Sequence, residues 1–95
     1  MMSEKKSLAR EWMEFLKRLK ENEQLPMTAL KEALKFVDVC VFIPQGKEST
    51  PIFYIVSPYA GELTFVFKSG IALIFKLYSF SGDETVRVEW GLRIL

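Results

Sequence analysis

The side chains of this sequence with a distinct binding chemistry are aromatic and cationic, and they gather in its second half. Tyr54, Phe65, Phe67, Tyr78 and Phe80 lie there, with Lys76, Arg87 and Arg93 among them. Rings stack on flat ligands, and lysine and arginine attract anions. In combination that is the chemistry that holds single-stranded nucleic acid. Lys68 and Arg10 are outlying members of the same set.

Other chemistries lack their residues. The chain has no histidine, which removes the Ser-His-Asp and Cys-His arrangements in their usual form. One cysteine without a histidine cannot supply the usual zinc ligands. That cysteine, Cys40, sits in an apolar run, where a buried and inert thiol is expected. A lone cysteine also forms no intrachain disulfide framework, which fits a reducing, cytoplasmic setting. Gly46, Gly61, Gly70, Gly82 and Gly91 are scattered and make no phosphate-cradling loop. Asp83 and Glu84 share a turn, where solvation is the expected state rather than acid–base work. The expectation is a protein that is not an enzyme and needs no cofactor or metal.

Composition sets the frame for these residues. At 95 residues, with 49% apolar and 26% charged, the chain suits one folded domain spanning 1–95. A formal net charge of +1 announces no polyanion partner, although a balanced total can hide a segregated surface. The start of the chain lacks an unbroken apolar stretch, so no secretory signal is expected. No run approaches the roughly 20 apolar residues of a membrane span, and no membrane association is expected.

The elements that must position the set follow from periodicity. Leu8, Trp12, Phe15, Leu16 and Leu19 recur at helical spacing and form one stripe. Ser3 or Ser7 can cap the start, and Asn22 is a stop signal. Pro26 suits the first turn of a second helix, predicted over 26–35 and marked by Met27, Leu30 and Leu34. A helix-turn-helix fits poorly, because the connection is long and polar and the second helix shows no basic recognition face. From Phe36 the period changes to two. Strands are predicted over 36–43, 52–56, 63–68, 71–80 and 85–95, separated by turns of hairpin length. The expected fold is α+β: two N-terminal helices followed by a five-stranded antiparallel meander sheet.

Turn lengths then assign faces. A two-residue turn at Ser69-Gly70 pairs Lys68 with Ile71 and Phe67 with Ala72. Four-residue connections at Pro58–Gly61 and Ser81–Glu84 pair Tyr54 with Phe65 and Tyr78 with Arg87. Opposed residues share a face. One face then collects Phe53, Ile55, Val66, Ile71, Leu73, Phe75, Leu77, Val86, Val88, Trp90, Leu92 and Ile94, the natural partner of the helix stripes. The other collects Tyr54, Leu63, Phe65, Phe67, Ile74, Lys76, Tyr78, Phe80, Arg87, Glu89 and Arg93. Its apolar and aromatic centre needs a cover. A helix on that side, another subunit, or single-stranded DNA or RNA would each serve.

The helical stretch Ser7-Leu8-Ala9-Arg10-Glu11-Trp12-Met13-Glu14-Phe15, a short second helix and an aromatic-rich antiparallel sheet resemble, in layout, the ThermoDBP-type archaeal single-stranded DNA-binding proteins. The resemblance covers most of the chain. It implies a thermophilic, non-enzymatic protein that binds single-stranded DNA without sequence preference, through an aromatic cleft with a basic border, in a homo-oligomer. The C-terminal zipper of some family members has no counterpart before Leu95, so an oligomer would form differently. The alternative expectation is a non-enzymatic protein–protein interaction or homo-oligomerisation module.

Overall fold

The computed structural model describes residues 8–22, 24–37, 50–79 and 86–95. Two helices precede an antiparallel sheet: α1 (Leu8–Asn22), α2 (Pro26–Leu34), β1 (Pro51–Ser57), β2 (Glu62–Phe67), β3 (Ile71–Ser79) and β4 (Val86–Ile94). The α+β class holds. Among the described residues the sheet has four strands in the order β1-β2-β3-β4, where five were expected. Of the expected first strand, 36–43, residues 38–43 lie outside the described residues, leaving Phe36 and Val37. Those two lie in the turn after α2, with their N–H groups donating to Ala33 and Leu34 carbonyls.

α1 forms from strong helix formers around its apolar stripe. Trp12, Phe15, Leu16 and Leu19 are buried, as their spacing predicts. The predicted stop holds too, since α1 ends at Asn22. α2 begins with Pro26 at its first position, behind an extended Leu25. Proline needs no N–H partner there and pushes the residue before it out of the helical region. Ala29, Leu30 and Ala33 are buried on its inner side.

Both helices contribute to one core against one sheet face. That face carries Tyr54, Leu63, Phe65, Phe67, Leu73, Phe75 and Val88. Rings run through it in contact: Phe15 stacks on Phe36 at 5.4 Å, Trp12 meets Phe36 at 5.0 Å and Phe75 at 6.2 Å, and Phe65 meets Phe75 at 5.8 Å. Tilted and edge contacts of this kind suit the ring quadrupoles.

The first two strands present faces opposite to those expected from turn lengths. Tyr54 does pair with Phe65, and Tyr78 with Arg87. In the central hairpin, however, Phe65 pairs with Leu73 and Val66 with Ala72. The turn is one residue longer than two. The Gly70 N–H donates to the Phe67 carbonyl at 3.0 Å, and Gly70 itself has φ +89°. A tight turn followed by a residue of positive φ is the usual three-residue hairpin loop, and glycine takes that φ without steric cost. One residue of register exchanges every side chain between faces. So β1 and β2 are turned over relative to the prediction. Phe53 and Ile55, expected in the core, point to the open side, and Val66 joins them half-buried. Of the β4 residues expected inside, Val88 is buried but Leu92 and Ile94 are exposed.

Candidate nucleic-acid interface

The predicted binding set is divided by that register. Phe65 and Phe67 are buried under the helices and cannot meet a ligand without unfolding. Tyr54 points the same way, half-buried, and its hydroxyl donates to the Gln24 carbonyl at 2.9 Å. Phe80 lies outside the described residues, as do Cys40, Asp83 and Glu84. Lys76, Tyr78, Arg87 and Arg93 do share the open face. Arg93 is set apart from Arg87 by six residues, about 20 Å along an extended strand.

The remaining cluster of Lys76, Tyr78 and Arg87 is electrostatically answered from within. Lys76 Nζ lies 3.6 Å from Glu62 Oε2, and Arg87 Nη2 donates to Glu89 Oε2 at 3.0 Å. The Arg87 guanidinium also sits over the Tyr78 ring, 5.0 Å from its centroid, a cation–π arrangement. A phosphate arriving here would compete with two carboxylates, and a base would compete with arginine for the ring.

A second aromatic and basic surface exists where turn lengths could not reveal it. β1 leaves the sheet through a single 3-10 turn, Pro58–Ala60. Gly61 follows with φ +68° and lets the chain reverse into β2. The turn holds Tyr59 fully exposed beside α1. A groove of about 770 Å³ runs there, lined by Met13, Lys17, Lys20, Glu21, Pro58 and Tyr59. Lys20 also borders a neighbouring hollow of about 300 Å³, whose lining includes Gln24, Phe53 and Tyr54. The two hollows thus share Lys20. They follow the seam between the C-terminal half of α1 and the stretch from β1 to the 3-10 turn.

This seam has the parts of a stacking site. Phe53 and Tyr59 are exposed rings at its two ends, and Tyr54 forms part of the wall. Lys17 and Lys20 are one helical turn apart on the same α1 surface. Gln24 lines the hollow near Phe53, and its Oε1 is buried with no hydrogen-bond partner among the described residues. An acceptor in that state is costly unless something donates to it. The sequence signals were present but scattered: Lys17 and Lys20 lie on the charged side of a helix, and Tyr59 lies in a connection between two strands.

Among the described residues, no group of three or more His, Cys, Asp or Glu is placed to hold a metal ion. No helix among them is long and apolar enough to cross a membrane. No family model, curated protein or solved structure matches this chain.

Proposed function

We propose that this protein is a non-enzymatic module that binds single-stranded DNA, without sequence preference, in the seam between α1 and the β1 edge. One observation carries the reading: Tyr59, a fully exposed ring, stands over a groove bordered by Lys17 and Lys20. A fully exposed ring beside two lysines offers its face to a base and cations to the phosphates, and such rings stack on bases of any sequence. The two ammonium groups would lie along the phosphates while Phe53 and Tyr59 take bases at either end. The resemblance in layout to ThermoDBP-type proteins supports the same class of ligand, with the aromatic cleft moved from the sheet face to the sheet edge.

The test is fluorescence anisotropy of a labelled oligothymidylate, with a double-stranded oligomer as control. Tyr59→Ala is expected to weaken single-strand binding roughly five- to hundredfold, the range of one lost base stack. It should leave the thermal melt unchanged, because the ring packs on nothing in the core. Absence of binding by the unaltered protein at low salt would remove nucleic acid from consideration. Unchanged binding by Tyr59→Ala would move the ligand off this seam.

A further inference from the structure

The open face of the sheet has a pattern of which the seam shares only Phe53. Across the strands its residues stand in rows set by the register. One row reads Ile55, Thr64, Ile74, Gly91, and the next reads Ser57, Glu62, Lys76, Glu89. The β1 side is raised and apolar, with Phe53 47% and Ile55 52% exposed. The β4 side has a gap at Gly91, where a Cβ would meet nothing within 4 Å. The charges nearly balance: Glu62 and Glu89 answer Lys76 and Arg87, and Arg93 at the β4 end is the one cation in excess among the described residues. A polyanion gains little from such a face, and a copy of itself gains much.

We propose that this face is the contact between two copies of the chain, related by a two-fold axis that runs parallel to the strands between β2 and β3. That operation sets β1 of one copy over β4 of the other and keeps each row opposite itself. Ile55 then enters the gap at the partner subunit's Gly91. Glu62 meets the partner's Lys76, twice by symmetry, and Phe53 lies against the partner's Arg93. A two-fold contact demands such self-complementarity, and aligned sheets pack face to face about 10 Å apart. Four strands at ~4.8 Å and some seven residues at ~3.3 Å give an outline on the order of 450 Å². That is about half of the ~800 Å² each partner buries in a standard interface. The dimer therefore belongs with small, weak associations.

Sedimentation equilibrium of the full chain, from low to several hundred micromolar, tests this. The unaltered protein is expected to pass from monomer to dimer. Gly91→Trp fills open space in the monomer, so it should fold normally by circular dichroism and raise the dimer dissociation constant on the order of a hundredfold, the size of a hot-spot loss. Glu62→Lys should also weaken the dimer, and adding Lys76→Glu should restore it. A protein that stays monomeric throughout overturns the proposal. So does a folded Gly91→Trp variant that dimerises normally, or a charge swap that restores nothing. Tyr59→Ala lies on another surface and should leave dimerisation intact, so this inference and the nucleic-acid reading fail separately.

Discussion

The indole N–H of Trp12 donates a buried 2.8 Å hydrogen bond to the carbonyl oxygen of Gly61, 49 residues along the chain. The same oxygen accepts the Leu77 N–H at 3.1 Å. One backbone atom thus ties α1, the turn after β1, and β3 together. The groove beside Tyr59 inherits its shape from that junction.

Weakening the junction should cost stability from either end. Trp12→Phe removes the donor and part of a fully buried ring, for an expected loss of about 2–3 kcal/mol. Gly61→Ala meets two obstacles: a φ of +68° and a Cβ placed 3.1 Å from that of Leu77. It should cost about 1–3 kcal/mol. Each kcal/mol should lower the midpoint of a thermal melt by about 4–8 °C in a domain of this size. Unshifted melts would show that the junction does not hold the fold.

Phe65 should behave as a core residue. Phe65→Ala is expected to lose about 3–5 kcal/mol in urea unfolding, because the ring is wholly buried between Tyr54 and Phe75. Tyr78→Ala, on the open face and 39% exposed, should stay within about 1 kcal/mol of the parent. The reverse order would mean that the register is wrong.

The central hairpin offers a harsher test. Deleting Ser69 leaves a two-residue turn. A turn of that length would set Phe65 and Leu63 on the face opposite Leu73 and Phe75. No single layer of helices can cover both. The variant should lose its cooperative melt and its near-ultraviolet dichroism, since a domain holds only about 5–15 kcal/mol in total. Parent-like melting would show that strand pairing overrides the turn.

Salt should read out the seam's two lysines. With Lys17 and Lys20 as the phosphate contacts, log K for single-stranded DNA should fall with log salt at a slope of about −1.4, roughly −0.7 for each contact. Lys17→Glu with Lys20→Glu should flatten that slope toward zero. A slope that survives both changes would place the phosphates elsewhere.

Much of the fold was legible from local pattern. The stripe of Trp12, Phe15, Leu16 and Leu19 follows from the helical repeat, which depends on neighbours within a few residues. Proline at 26 and asparagine at 22 mark helix ends for equally local reasons. Connection length alone sufficed for the β1–β2 and β3–β4 pairings, since both place their residues as the turns predict. The central hairpin was different. Ser69-Gly70 reads as a two-residue turn, whereas the loop is Lys68-Ser69-Gly70, and the difference of one residue decides which rings are core. Burial resolved it: Leu63, Phe65 and Phe67 join Leu73 and Phe75 under the helices, which gives one dry face instead of two half-dry ones. The seam lay beyond local pattern altogether. Lys17, Lys20, Phe53 and Tyr59 come from three elements, and nothing near any of them in the chain indicates the others. They meet because α1, packed against both β1 and β4, must bury its stripe on the sheet, a choice made by packing between residues some forty positions apart.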